Sequence, residues 1–186
     1  MTPLVAAVTY LMGAGTIIVH LALVVFIVGT LASRGWKEWL HERVGSHGVL
    51  VSLIIVGASL VGSLFYSEVA GFTACLICWI VRGLIYPQLI TLGAYWYKPR
   101  RWLLGLSLAM SIGATLASAY QVYLQYGGAS LINCQIVQSF GSCETEYFRI
   151  FGYVTIAIMS LTASLALVVS QAVALHRKHW LSPANH

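Results

Sequence analysis

The stretch ACLICWIVRGLIYPQLITLGAYW, residues 74–96, contains a single charged residue, Arg82, and is otherwise apolar or weakly polar. A helix needs about 20 consecutive, mostly apolar residues to cross the hydrocarbon layer of a bilayer, and this stretch is long enough. Because lipid offers no hydrogen-bond partners to the backbone, it is predicted to be a helix. Four other stretches of similar character occur along the chain, at 4–32, 48–66, 102–124 and 150–175.

The composition also indicates a membrane protein. Hydrophobic residues make up 59% and charged residues 8% of the 186 positions, and the sequence contains no aspartate. An ordinary soluble domain carries about 25% charged residues. Five spans and their short connections fill the chain, which leaves no room for a separate soluble domain. The predicted fold class is therefore an all-α integral membrane protein.

Positive charges are distributed unevenly between the two sides that five spans define. One side carries Arg149 alone, with Arg82 just inside a span. The other side carries Arg34, Lys37, Arg43, Lys98, Arg100, Arg101, Arg177 and Lys178. Loops rich in Lys and Arg stay in the cytoplasm. We therefore expect a multi-pass protein of the cell membrane with its N-terminus outside and its C-terminus in the cytoplasm. Its partner is the lipid membrane and not a nucleic acid, because the basic residues lie on separate loops.

Two cysteines stand at the start of the 74–96 stretch. The thiolate form attacks disulfides, and the partial positive charge at a helix N-terminus stabilises it. Side chains three residues apart on a helix lie about 5–6 Å from each other, so Cys75 and Cys78 can close a disulfide only with some distortion. A strained disulfide is easier to reduce. Arg82 is a functional candidate because it is ionisable and lies within a span; the alternative is that it reaches back to the membrane surface.

A second pair of cysteines, Cys134 and Cys143, falls in the next loop on the same side of the membrane. Since disulfides persist outside the cytosol, this pair is either a structural link within the loop or a second redox pair. Zinc is a third alternative, but the separation of Cys134 from Cys143 does not fit the usual C-x₂₋₄-C spacing, so no metal site is predicted. Two thiol pairs at one face of a bilayer indicate electron transfer through disulfides.

Several short motifs, taken in their order, resemble those of one family. They are Tyr66-Ser67-Glu68, Cys75-x-x-Cys78-Trp79, Arg82, Tyr86-Pro87, the loop pair Cys134 and Cys143, and Phe151-Gly152-Tyr153-Val154-Thr155-Ile156. Together they look like the DsbB-type disulfide-bond-forming membrane proteins, especially the form found in Gram-positive bacteria. The vitamin K epoxide reductase family is similar in design, but there the loop cysteines precede the CxxC motif.

The resemblance implies a division of the chain into three parts. Residues 48–175 would form a four-helix transmembrane bundle that carries the redox chemistry. Residues 1–47 would add an N-terminal transmembrane helix and a cytoplasmic interfacial segment, and residues 176–186 a basic cytoplasmic tail. The first helix has no counterpart in the four-span pattern.

The resemblance also implies a thiol:quinone oxidoreductase. An extracytoplasmic DsbA-like protein with a thioredoxin fold would reduce the Cys134–Cys143 disulfide, which would in turn reduce Cys75–Cys78. A quinone, either ubiquinone or menaquinone, would then reoxidise the second pair. Arg82 would lie beside the quinone ring, and Gln121 would stand where many relatives carry a histidine. Two alternatives remain open: an interaction protein with two inert disulfides, and a reductase driven by reduced quinone.

Three further expectations concern individual segments. His20, in the middle of the first span, is either a packing residue or a ligand or proton-relay site. The first span is expected to be retained, because no Lys or Arg precedes it and it exceeds the roughly 7–15 apolar residues of a signal peptide. Segment 33–47, with its tryptophans and basic residues, is predicted to be an interfacial helix that anchors the chain or, alternatively, binds a partner.

The charges after the loop pair suggest which thiol is the nucleophile. Glu144 and Glu146 follow Cys143 closely and should disfavour its thiolate by like-charge repulsion. Cys134 is therefore predicted to be the attacker of Cys75.

Overall fold

The computed structural model describes residues 2–32, 34–129, 143 and 145–180, with the backbone alone at 34, 36–46 and 177–180. Helices account for nearly all of the regular structure in these residues, beside one isolated β-bridge between Ile150 and Val154. The elements in chain order are α1 (Pro3–Ala32), α2 (Arg34–Leu64), a π-helical turn (Phe65–Val69), α3 (Leu76–Ile85), α4 (Pro87–Tyr97), α5 (Arg101–Gln125) and α6 (Ile156–Trp180).

Five helical segments of the described chain are long and apolar enough to cross a membrane. They are Pro3–Ala32, His47–Val69, Leu76–Tyr97, Arg101–Gln125 and Ile156–His176. The predicted fold class, a helical membrane bundle with an additional N-terminal helix, is confirmed.

Proline divides the third span into two helices. Its ring removes a backbone donor and clashes with the preceding turn, so Pro87 is tolerated only as the first residue of a new helix. The amide of Tyr86 still donates to the carbonyl of Arg82, at 2.9 Å, and α4 begins at the next residue. The helical span predicted over 74–96 is confirmed as Leu76–Tyr97, with a division at Pro87 that the prediction did not include.

Two other predicted boundaries differ from the structure. The last helix begins at Ile156 and not at residue 150, because residues 150–154 form a tight turn in which Phe151 and Gly152 have φ values of 51° and 82°. The helix predicted over 33–47 is present from Arg34, although its interfacial position stays a prediction. It is the first part of α2, which runs without a break from Arg34 into the second span.

Polar side chains join the helices inside the bundle. Lipid gives no hydrophobic driving force between helices, so close packing of small residues and interhelical hydrogen bonds carry their association. Gln88 of α4 accepts hydrogen bonds from Ser107 and Ser111 of α5 and from the amide of Gln171 of α6, at 3.0–3.2 Å. All four side chains are buried. This cluster fixes α4, α5 and α6 relative to one another, away from the cysteine end.

A candidate thiol site that opens on a cavity

Cys75 and Cys78 lie together where α3 begins. Cys75 occupies the N-cap position in extended backbone, and Cys78 falls in the first turn, as the sequence predicts. The two sulfur atoms are 3.2 Å apart, and the thiol of Cys75 donates to that of Cys78. No disulfide bond joins the two sulfur atoms.

The third described cysteine, Cys143, joins this pair. Its buried thiol is hydrogen-bonded to Cys75. The contact is held by the residues that follow Cys143: Tyr147 donates its hydroxyl to the carbonyl of Thr73 at 2.8 Å, and its ring stacks on Phe72 with centroids 4.4 Å apart. The 145–149 segment is thereby fixed against the residues that lead into α3.

The nearness of Cys143 to Cys75 bears on which thiol exchanges with the first pair. Cys134, predicted to attack Cys75, lies outside the described residues, as does Glu144. The carboxylate of Glu146 forms an ion pair with Arg149, with an oxygen–nitrogen distance of 2.6 Å. Arg149 thus offsets the negative charge of Glu146, one of the two carboxylates on which the prediction rested. In the described part of the chain, the thiol that contacts Cys75 is that of Cys143.

Hydrogen bonding distinguishes the two thiols of the CxxC motif. The pKa of Cys75 is raised well above its ordinary value, chiefly because its proton is held by Cys78, and further because of its burial and the contact with Cys143. Cys78 instead receives donors at its sulfur. Because both the Cys75 thiol and the Gln121 amide direct donors at the sulfur of Cys78, negative charge is favoured on Cys78.

Gln121 of α5 supplies the second donor to Cys78. Its side-chain nitrogen lies 3.2 Å from the sulfur of Cys78 and 3.8 Å from that of Cys75. The residue is buried. The sequence-based prediction placed Gln121 at a quinone. The structure puts its amide nitrogen on the thiols and its side chain in the wall of the cavity described below.

Arg82 lies one turn below Cys78 and is held by α2. Its guanidinium donates to the carbonyl of Ser63 at 3.2 Å and to the hydroxyl of Ser67, and it lies 5.2 Å from the centroid of the Trp79 ring. The positive charge is close enough to attract negative charge on Cys78. The guanidinium of Arg82 is therefore fixed by hydrogen bonds close to Cys78 and does not reach back to the membrane surface. Its functional role stays a prediction.

A cavity of about 420 Å³ extends from this site between the helices. Cys78, Arg82 and Gln121 lie in its wall, which is otherwise largely apolar and is built from α1, α2, α3, α5 and α6. Tyr86 also lines it, and the hydroxyl of Tyr86 is buried with no hydrogen-bond partner among the described residues. Neither the contribution of α1 nor the role of Tyr86 was found by sequence reasoning; the Tyr86-Pro87 pair served only as part of the resemblance.

Five candidate membrane spans with cysteines gathered at one end of the bundle are features of a helical membrane protein of thiol–disulfide chemistry. Residues 45–174 match the family described as "Disulfide bond formation protein DsbB", and the chain belongs to this family. The resemblance drawn from the sequence motifs is confirmed. The protein is thus a multi-pass membrane protein of disulfide bond formation.

Individual relatives agree with the family. A "Probable disulfide formation protein" of Oceanobacillus iheyensis is 33% identical over 131 residues, which cover 64% of this chain and 84% of that protein. "Probable disulfide formation protein C 2" of Bacillus cereus is 26% identical over 133 residues, 71% of this chain and 91% of the relative. "Disulfide bond formation protein C" of Bacillus subtilis is 26% identical over 122 residues, 63% and 85% of the two chains. No solved structure gives a significant match.

Proposed function

We propose that this protein is a thiol:quinone oxidoreductase that reoxidises an extracytoplasmic partner of DsbA type, with a thioredoxin fold. One observation carries the proposal: Cys78 belongs both to the cluster of three thiols and to the wall of the apolar cavity. Electrons that reach Cys78 from the other cysteines therefore have a neighbouring site in which a lipid-soluble acceptor can bind.

The cavity fits a quinone in its chemistry. A quinone has an apolar ring and tail and two carbonyl oxygens that accept hydrogen bonds. The wall offers an apolar surface with few donors, and the guanidinium of Arg82 and the amide of Gln121 stand beside Cys78. The unpartnered hydroxyl of Tyr86 supports the same assignment, because leaving a buried donor unpaired costs about 1–3 kcal/mol, which a ligand oxygen would offset.

The cysteines would exchange disulfides in two steps. A partner thiolate attacks the Cys134–Cys143 disulfide; the partner leaves as a disulfide and this pair becomes a dithiol. Cys143 then attacks the sulfur of Cys75, the new bond forms, and Cys78 departs as a thiolate. Cys134 finally attacks Cys143, and Cys75 is released and takes up a proton. The direction is favourable because a thiolate stabilised by donors, as at Cys78, is the better leaving group.

The residues around Cys78 would hold the acceptor and the charge. A quinone bound there would accept the two electrons released as Cys75 and Cys78 form their disulfide, together with the proton of Cys75 and a second proton from solvent. Arg82 attracts negative charge at Cys78 and at a ligand oxygen beside it, more strongly than in water because the site borders hydrocarbon. Gln121 keeps its donor aimed at the sulfur, and the low exposure of the site excludes water.

The proposal includes an arrangement in the membrane. The cysteine end faces outward together with the N-terminus, while the 98–101 turn and the C-terminus face the cytoplasm, in accordance with the tendency of basic loops to stay inside. Residues 48–175 form the redox unit, 1–47 the additional helix with its connection, and 176–186 a basic tail. This orientation gives the Cys134–Cys143 loop access to a secreted dithiol.

The test uses the full chain in lipid nanodiscs, a reduced thioredoxin-fold donor, and short-chain ubiquinone or menaquinone followed by absorbance. We expect donor-dependent quinone reduction in the wild type and none in Cys78→Ser. In that variant, alkylation trapping should detect Cys134 and Cys143 as free thiols. Arg82→Ala should raise the quinone KM or lower kcat, whereas Arg100→Ala, at the opposite end, serves as the matched control. Unchanged turnover in Cys78→Ser would reject the proposal. In a parallel assay with the oxidised thioredoxin-fold protein and quinol, net oxidation of quinol with reduction of that protein would instead show a reductase.

A further inference from the structure

The helix that lies outside the family match forms part of the cavity. The family match begins at residue 45, so α1 lies wholly outside it. Five residues of α1 nevertheless line the cavity: Leu11, Met12, Gly15, Thr16 and Val19. Their spacing places them on one face of the helix, over about 12 Å of its length.

A histidine fixes the orientation of this face. His20 is bonded through Nε2 to the hydroxyl of Thr162 at 2.6 Å and through Nδ1 to the hydroxyl of Tyr153 at 3.1 Å. The proton of Thr162 is given to the carbonyl of Ile158, so Nε2 of His20 is the donor and Nδ1 accepts from Tyr153. Both ring nitrogens are thus occupied in joining α1 to α6 and to the turn before it.

Close packing supports the same attachment. Gly13 lies so near Ile150 and Phe151 that a Cβ there would collide with the isoleucine side chain. On the α2 side, a Cβ on Gly62 would lie 3.3 Å from the methyl group of Met12. Glycines at such crossings let helices approach closely in a membrane. α1 is therefore held on two sides, with the cavity-lining face between them.

This face of α1 has an apolar character. The hydroxyl of Thr16 donates to the carbonyl of Met12, so its proton is not available to a ligand. Gly15 leaves a gap, because a Cβ added there would meet no described atom within 4 Å. The other polar side chains of the cavity wall lie on the remaining elements, with Cys78 and Arg82 on α3, Gln121 on α5, Ser59 and Ser63 on α2, and Ser160 and Thr162 on α6.

We propose that α1 is an integral wall of the quinone site, that it contacts the apolar part of the ligand, and that Gly15 sets the width available to it. The proposal rests on the function proposed above and goes beyond it by adding a binding surface from outside the family's region. Because α1 contains no cysteine, it governs quinone affinity and selectivity without taking part in thiol exchange.

The first test enlarges the residue at the gap. Gly15→Phe should raise the quinone KM about tenfold or more, because its ring would occupy space that the apolar part of the quinone needs, and should affect kcat less. Gly15→Ala should have a smaller effect in the same direction. Leu21→Phe is the matched control, because Leu21 is 62% exposed on the outer face of α1. The rate at which the donor reduces the cysteines, measured by alkylation without quinone, should be equal in all variants.

A second test does not depend on the variants. A ubiquinone analogue with a diazirine in its side chain is photolysed in the wild-type protein, and the labelled peptides are identified by mass spectrometry. Label within residues 11–19, displaced by excess ubiquinone, is expected. If the wild type reduces quinone, yet α1 carries no label and Gly15→Phe retains the wild-type KM, this inference alone is overturned. If the wild type reduces no quinone, the proposed function fails and the inference fails with it.

Discussion

Removing one oxygen atom, in Tyr86→Phe, should have opposite effects on folding and on quinone binding. The hydroxyl of Tyr86 is buried and has no partner among the described residues, although the side chain lines the cavity. An unpaired buried donor costs about 1–3 kcal/mol, so its removal should stabilise the ligand-free protein by about 1 kcal/mol after allowance for the small void that remains.

Binding should respond in the other direction. A neutral hydrogen bond contributes about 0.5–1.5 kcal/mol, so losing one to a quinone oxygen should raise the quinone KM by about two- to tenfold. The thermal midpoint of the detergent-solubilised protein without quinone reports the first effect, and initial rates over a range of quinone concentrations report the second.

A matched control separates this effect from a general loss of a tyrosine hydroxyl. Tyr95 of α4 is buried but lies outside the cavity wall, so Tyr95→Phe should leave the quinone KM unchanged. The reasoning about Tyr86 is refuted if Tyr86→Phe lowers the thermal midpoint while its KM equals that of the wild type, because the hydroxyl would then be satisfied within the protein.

Three further predictions concern the thiols. Gln121→Leu removes a donor 3.2 Å from Cys78 and should lower kcat about 10- to 100-fold, as the loss of a hydrogen bond to a charged group costs about 1.5–3 kcal/mol; wild-type rates in a stopped-flow assay would argue against this role. Cys134→Ala should accumulate a Cys75–Cys143 disulfide detectable by peptide mapping. Accumulation of a Cys75–Cys134 disulfide in Cys143→Ala would contradict the proposed attack of Cys143 on Cys75. In the reduced protein at pH 7, iodoacetamide should modify Cys78 before Cys75, because the raised pKa of Cys75 keeps that thiol protonated at pH values where an ordinary cysteine is already ionised. If mass spectrometry shows the reverse order, Cys75 does not have a raised pKa.

The sequence predicts well what depends on local composition. Spanning helices follow from the length of apolar runs, and the position of Cys75 and Cys78 at a helix start follows from where one such run begins. The contact between Cys143 and Cys75 could not be read in this way. It depends on tertiary contacts of Tyr147 with Phe72 and Thr73, which no spacing along the chain reveals.

The position of α1 was unpredictable for a different reason. In a soluble protein, the buried face of a helix is marked by apolar residues. α1 is apolar on all sides, because its outer face meets lipid, so the pattern does not distinguish the face that lines the cavity from the face that does not. His20 was the one signal available. In the structure, His20 attaches α1 to α6 and to the turn before it. Of the two interpretations from the sequence, a packing residue agrees better with these contacts than a ligand or proton-relay site.

The attachment of α1 has a consequence for how the protein is made. Tyr153 and Thr162 follow His20 by 133 and 142 residues, so a ribosome delivers the first helix to the bilayer long before its polar partners have been translated. Until then the imidazole has neither hydroxyl available, and burying an unpaired polar group in hydrocarbon is unfavourable. α1 can therefore pack against α2 early, through Met12 and Gly62, but gains both hydrogen bonds of His20 only once α6 is made, and a nascent chain arrested before α6 would present to membrane proteases an α1 without them.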